Sequence, residues 1–405
     1  MRGDGARSVI AFGVAMAMAA CGGEEGTAPP VNAPTAPSTT TTLVPPAPTS
    51  ATPDPSGFAL PIAAPSVEDA GALASAAARA LPKPKPVTIP LATPVSPSPA
   101  DEELTAGDAA FEANDLDGAS RHYGRALKLA PKSVAPKVGV ARVNVARVGA
   151  PMDYAGAKGN RTIAIAVSDL KKAVKSDPTF GPAYVELGRA LLLLGDADGA
   201  IDSLRKGVTS LPDQAEAHSA LGVALLATGH AEESLSELAR AAEIDPGSAP
   251  RHGNLGTVLF MRGRVVDAIH EYEIQARLAD GDARAHSDLG TAVLAHNEIP
   301  RAEAELRRAI ALDGTRAAFH SNLGYALQIE GKVPEAIAEY RAALQIDPRS
   351  ASAWINLATA LAKDPKTRAD ARDALQRARA IDPTDPRVKA NLDELDALEH
   401  GTVAP

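Results

Sequence analysis

The chain has 405 residues, a formal charge of −9, a single cysteine and only 3% aromatic residues. One cysteine excludes an intramolecular disulfide framework. A mildly acidic chain without Lys/Arg clusters argues against nucleic acid as a partner.

After Met1, Arg2 and Arg7 precede an apolar run from Val9 to Ala20. The run is too short to span a bilayer as a mature helix and has the length of a secretory signal's apolar core. Cys21 stands directly behind Met18-Ala19-Ala20 and before Gly22-Gly23. This resembles a bacterial lipobox, with Met18 where the motif usually carries Leu. The resemblance implies a signal peptide over residues 1–20, an acylated Cys21 and a bilayer anchor supplied by its acyl groups. Gly22 in place of Asp points to the outer membrane of a bacterial envelope, if the enteric sorting rule applies.

Residues 21–100 are expected to form a lipidated N-terminus and a disordered tether. From Thr27 to Ala100 the chain is dominated by Pro, Ala, Thr and Ser, with little to build a core. As a coil it would reach on the order of 50 Å. Within it Ser66 to Leu81 reads as a transient alanine-rich helix.

Beyond residue 100 a 34-residue period takes over. Leu187, Leu221, Leu255, Leu289, Leu323 and Leu357 are each followed by a small residue, Gly188, Gly222, Gly256, Gly290, Gly324 and Ala358. A fixed period of 20 to 50 residues marks stacked units that cannot bury their apolar faces alone. Leu191, Leu225, Leu259, Val293, Leu327 and Leu361 lie four residues after the leucine column, on the same helix face. A second stripe, Ala200, Ser234, Ala268, Ala302 and Ala336, is followed by Leu204, Leu238, Tyr272, Leu306 and Tyr340. Gly195, Gly229, Gly263, Asn297 and Gly331 separate the stripes and suit a left-handed helix end. Each unit is predicted to be a helical hairpin, closed by pairs such as Asp245-Pro246 and Asp347-Pro348.

These columns together resemble the tetratricopeptide repeat. The resemblance implies an all-α solenoid of about eight hairpins, with units near 100–133, 134–180, 181–214, 215–248, 249–282, 283–316, 317–350 and 351–384. A polar capping helix over 386–399 would protect the exposed end. The second unit carries an insertion around Gly149 to Asn160, read either as a partner-specific loop or as a tolerated solvated one.

The position where the repeat usually has Trp or Tyr reads Tyr184, His218, His252, His286, His320, Trp354. The expectation is half-buried packing with a hydrogen bond; a pH-responsive array is the alternative. Successive members of a stack are too far apart to share a metal ion.

No catalytic motif is present, and Asp and Glu are read as solvated helix faces. No enzyme activity or cofactor is expected. Function is assigned instead to the concave groove that the first helices of such repeats line. The residue before each leucine reads Glu186, Ala220, Asn254, Asp288, Asn322, Asn356. Asparagine disfavours helix interiors unless its side chain is used. Three of these six positions match the asparagine ladder of the O-linked N-acetylglucosamine transferase repeats, which implies bidentate contact with a peptide backbone. Solvated asparagines are the other reading. Thr257, Thr291, Tyr325 and Thr359 face the same groove, with Phe260, Met261 and Gln328 nearby, a mix suited to a peptide with modest apolar anchors. The expected function is a membrane-anchored scaffold that binds a segment of other envelope proteins. Alternatives are an assembly factor like the lipoproteins that pilot secretins, serve outer-membrane protein insertion or recruit peptidoglycan hydrolases, and a glycosyl-transfer or hydrolytic enzyme.

Overall fold

The computed structural model describes residues 88–92, 98–149 and 156–399. The signal segment, Cys21, the Ser66–Leu81 stretch and positions 150–155 of the insertion lie outside the described residues. Seventeen α-helices and no strand occur among those described. The first hairpin pairs α1 (Pro99–Glu112) with α2 (Leu116–Leu129), and the second α3 (Ala135–Arg147) with α4 (Arg161–Ser176). Then follow α5 (Gly181–Leu194) with α6 (Ala197–Ser210), α7 (Ala215–Ala227) with α8 (Ala231–Ile244), and α9 (Ala249–Met261) with α10 (Val265–Leu278). The last three are α11 (Ala283–Ala295) with α12 (Ile299–Leu312), α13 (Ala317–Ile329) with α14 (Val333–Ile346), and α15 (Ala351–Ala362) with α16 (Arg368–Ile381). Helix α17 (Pro386–Glu399) packs on α15 and α16 and closes the stack.

Within the five hairpins from α5–α6 to α13–α14 the two helices meet at the glycine column. A Cβ on Gly188 would lie 2.4 Å from Leu204, on Gly222 2.6 Å from Leu238, and on Gly324 2.7 Å from the Tyr340 ring. The small residue therefore sets the interhelical distance, and the bulky residue of the second helix fills the notch it leaves. In the first two units one ring, Tyr123, serves both Gly107 and Gly139. Both leucine columns and the alanine column are buried along their whole length. Each fully buried leucine contributes roughly 1.5 to 3 kcal/mol. Ser234 is the polar member of the alanine column, and its hydroxyl donates to Gly222 O at 2.7 Å, so this buried donor is paired.

The turns inside the hairpins are left-handed at Gly195, Gly229, Gly263 and Gly331. Asn297 adopts φ 65° in the fourth of the five regular turns, the conformation that asparagine tolerates best after glycine. In the last hairpin the turn is lengthened by a single 3₁₀ turn, Pro365–Thr367, capped by the Asp364 side chain.

The expectation of a structureless chain up to residue 100 does not hold for Thr88–Ala92, which lies against α1 and α3. Ile89 and Leu91 are 2% and 1% exposed while Pro90 between them is exposed. Composition marks this stretch as linker, but two apolar side chains on one side of an extended pentapeptide are enough to dock it.

The glycine notch yields a paired prediction. Gly256→Val places its Cβ about where the Tyr272 ring stands, 2.7 Å from the nearest ring carbon. The overpacking cost of ~1–3 kcal/mol should outweigh any gain in helix propensity. Gly281→Ala meets no atom within 4 Å and should stay within about 0.5 kcal/mol of the parent. Urea denaturation of the two variants distinguishes them; equal midpoints would remove the notch as the determinant of hairpin geometry.

Candidate functional site

The residues before the leucine column do not form one uniform strip. Glu186, Ala220 and Asn254 are 8%, 3% and 9% exposed, whereas Asp288, Asn322 and Asn356 are half-exposed. The face is filled at its N-terminal end and open at its C-terminal end.

The filling is a chain of buried charges. Arg142 on α3 donates from Nη1 to Asp108 Oδ1 on α1 at 3.0 Å and from Nε to Glu186 Oε1 on α5 at 2.8 Å. Arg189, one turn beyond Glu186, approaches it at 3.8 Å and pairs with Glu216 on α7. Arg251 on α9 then bridges Glu216 at 3.0 Å and Asp245 at 3.1 Å. These carboxylates correct the reading of Asp and Glu as solvated faces: stacking brings side chains from separate first helices together, and each carboxylate finds a guanidinium from a neighbouring unit. Burial alone would depress Arg142, but Glu186, Tyr123 and Asp108 hold it firmly as a cation. Burial pushes Asp108 up, against the pull of Arg142 and of the Leu91 amide and Tyr123 hydroxyl that donate to it. A buried pair of this kind contributes little net stability, yet removing one partner is costly.

Past Asn254 the groove contains a recess of about 510 Å³ between α11 and α13, walled by Phe260, Tyr272 and Phe319. Asp288, Thr291 and Asn322 face it, with Arg284 and Arg316 at its edge. The Asn322 amide donates to Thr291 Oγ1 at 3.1 Å. Asp288 receives only a long 3.5 Å contact from the Gln275 amide, whose own Oε1 is buried without a partner. Solvent reaches part of Asp288 from the groove mouth, but the surrounding protein strips most of its hydration and pushes the carboxyl up to about 7.

Other expected groove residues are committed elsewhere in part. Thr257, Thr291 and Thr359 donate to carbonyls one turn back on their own helices. Tyr272 OH donates to Thr257 Oγ1 at 3.2 Å, and Gln328 Oε1 accepts from Tyr340 OH at 3.0 Å. Tyr325 packs half-buried against the core. Met261 is 48% exposed at the end of α9. Thr359 meets Asn391 of the capping helix at 3.5 Å, so the groove ends there.

The histidine column is a second ordered feature. Nδ1 of His218, His252, His286 and His320 lies 2.6 to 2.8 Å from Glu237, Glu271, Glu305 and Glu339 on the second helix of the same hairpin. Nε2 faces a backbone carbonyl six residues earlier, as at Pro212 O, 2.9 Å from His218. Trp354 donates its indole N–H to Pro348 O in the same way, at 3.0 Å. Histidine thus replaces tryptophan as the donor to the interhelical turn and adds a tie to the second helix. With an acceptor at each nitrogen, His218 favours its cation: the Glu237 hydrogen bond raises its pKa against the effect of burial and of Arg240.

Because the folded pKa is raised, this contribution to stability is complete below about pH 6.5, the unfolded value, and fades as pH rises through the higher folded value. Glu237→Gln should therefore lower the melting temperature at about pH 5.5 and leave it nearly unchanged at about pH 9.5. Thermal denaturation at the two pH values checks this, and a pH-independent loss would show that Glu237 acts through packing alone.

Models of the tetratricopeptide repeat match residues 162–224 and 194–259, and a further repeat model matches residues 329–364. No curated protein matches the chain. Among solved structures, the Cut9–Hcn1 hetero-tetramer of the APC/C is similar, at 17% identity over 73% of this chain and 56% of that chain, with a TM-score of 0.55. PilF of Pseudomonas aeruginosa is similar at 21% identity over 54% of this chain and 98% of its own, TM-score 0.47. YrrB, a tetratricopeptide protein with an unusual peptide-binding site, is similar at 22% identity over 48% of this chain and all of its own, TM-score 0.39. The repeat-model matches agree with hairpins, notches and turns at a constant period, and the chain is built of tetratricopeptide repeats.

Proposed function

We propose that the chain is a membrane-tethered scaffold whose C-terminal concave groove, from Asp288 to Asn356, binds an extended segment of a partner protein of the bacterial envelope. The tetratricopeptide fold is that of a protein- or peptide-binding scaffold. The observation that carries the assignment to this part of the groove is the recess at Asp288, where a carboxylate stands among aromatic walls with only a long contact from the Gln275 amide. A peptide backbone supplies N–H donors, its side chains fill the apolar space, and Asn322 and Asn356 offer amides to its carbonyls. The role is binding rather than catalysis.

Anchoring is supported by the sequence alone. Arg2 and Arg7, the apolar run and the lone Cys21 have the order of a lipoprotein signal. No helix among the described residues is long and apolar enough to cross a membrane, so an acyl chain on Cys21 is the anchor proposed. Cys21→Ser should release the protein from the membrane fraction or leave its precursor uncut. Mass spectrometry that finds an unmodified N-terminus at Cys21 would overturn the anchor.

For the groove, a photo-crosslinking residue at Asn322 should capture a partner that the same residue on the convex face, at Arg308, does not. Each lost groove contact should weaken binding by about 0.5 to 1.5 kcal/mol, so Asp288→Ala/Asn322→Ala should lose roughly one to two orders of magnitude in affinity. A donor facing Asp288 prefers the ionised carboxyl, so wild-type affinity should rise with pH through about 7 and that of Asp288→Asn should not. Calorimetry showing unchanged affinity in the double variant, with its melting temperature intact, would move recognition to another face.

A further inference from the structure

The N-terminal end of the groove is already occupied, and by the chain itself. Thr88–Ala92 lies extended across α1 and α3. Asp108 Oδ2 accepts the backbone N–H of Leu91 at 2.8 Å, and Arg142 Nη2 donates to the carbonyl of Ile89 at 3.0 Å. Glu112 accepts from the Thr88 hydroxyl at 2.6 Å. Ile89 and Leu91 are enclosed with Leu104, Phe111 and Val138 in the N-terminal core, while Pro90 points to solvent. Every polar contact to Ile89 and Leu91 is made through the backbone, and their side chains are selected only for being apolar and two residues apart.

This is how a receptor reads an extended peptide. Buried main-chain donors and acceptors supply affinity, and alternate side chains enter apolar space. Proline between them has no N–H to leave unpaired and holds the segment extended, which lowers the entropy lost on binding. The pair that holds the backbone is itself buried: Arg142 is held by Glu186 and Asp108 by the Tyr123 hydroxyl. Neither depends on the pentapeptide for its orientation. The groove is therefore preformed, and the pentapeptide is its ligand rather than its wall.

We infer that the groove of the first two repeats is a second peptide-binding site, for extended partner segments of the pattern apolar-Pro-apolar, held closed in cis by residues 88–92. The inference is independent of the C-terminal recess and would stand if that recess bound nothing. Held in cis, the segment competes at the effective concentration of a short tether, in the millimolar range. A partner segment gains access by exchange with it.

The test uses the full chain and a fluorescent synthetic peptide with the sequence of residues 86–94, Pro-Val-Thr-Ile-Pro-Leu-Ala-Thr-Pro. Wild-type protein should bind it weakly, because the site is filled. Ile89→Asp/Leu91→Asp, which ejects the cis segment without touching the groove, should bind it at least tenfold more tightly by fluorescence anisotropy. Adding Asp108→Asn to that variant should reverse most of the gain. In the wild-type protein, hydrogen exchange should show the Leu91 amide protected, and an excess of the peptide should speed its exchange. A folded Ile89→Asp/Leu91→Asp protein with no gain in peptide affinity would overturn the inference and make residues 88–92 a fixed part of the fold. So would a Leu91 amide whose protection no peptide concentration alters.

Discussion

The distance between the two helices of each hairpin governs the rest of the molecule. That distance is set where a first-helix glycine receives a leucine or tyrosine from the second helix, at Gly188 with Leu204, Gly256 with Tyr272 and Gly324 with Tyr340. Close approach at one point fixes the crossing of the helices. The crossing fixes which first-helix residues turn toward the neighbouring unit and which toward the groove. Since the notch recurs every 34 residues, so do the groove positions, and side chains in one column come within reach of the next unit. The Asn322 contact to Thr291 follows from that repetition.

A consequence is that this array manages with few aromatics. In the last hairpin the start of the first helix is anchored by the Trp354 indole, which reaches the preceding turn. Histidine keeps the hydrogen bond, as comparison of His218 to Pro212 O with Trp354 to Pro348 O makes plain. What it gives up in apolar area is offset by the carboxylate on the second helix, a contact Trp354 cannot make. Trp354 instead lies under the Arg377 guanidinium, 5.1 Å from the ring centroid, a cation–π contact on the same helix pair. The hairpin is tied at this level in either case, by charge and hydrogen bonding in four units and by an aromatic face in the last one.

The solenoid was legible in the sequence because its determinants repeat: leucine, glycine and left-handed turn residues announce themselves through period alone. The buried charges were not, because Asp108, Arg142, Glu186, Arg189, Glu216 and Arg251 form no single repeating column. Asp108 and Arg142 lie 34 residues apart, but the other members do not continue that spacing, so nothing in the sequence joins the chain of charges until the stack is built. The groove column was legible as a column but not as a surface. Asn254 and Glu186 share it with Asn322, yet burial separates them, because neighbouring arginines close the groove over the first units and not over the last. Thr88–Ala92 was hidden by its surroundings. A pentapeptide with two apolar residues carries no weight in a window of prolines and threonines, and its docking depends on Asp108 and Arg142, which lie 17 and 53 residues from their backbone partners Leu91 and Ile89.

The two ends of the groove present different problems to a ligand. At the C-terminal end Asp288 has only a long contact from the Gln275 amide, so a ligand there adds hydrogen bonds to a carboxylate that now goes short of them. At the N-terminal end Asp108 and Arg142 are already satisfied, and simple departure of residues 88–92 would strand the Asp108 carboxylate and one arm of Arg142 in a site closed to bulk water. An unsatisfied buried polar group costs about 1–3 kcal/mol, and more when charged, so the vacant site is the high-energy state. A replacement segment that offers the same N–H and C=O as it enters avoids that state. The buried charges thus make the N-terminal groove a place of exchange between matched segments, while the C-terminal recess is a place of simple capture.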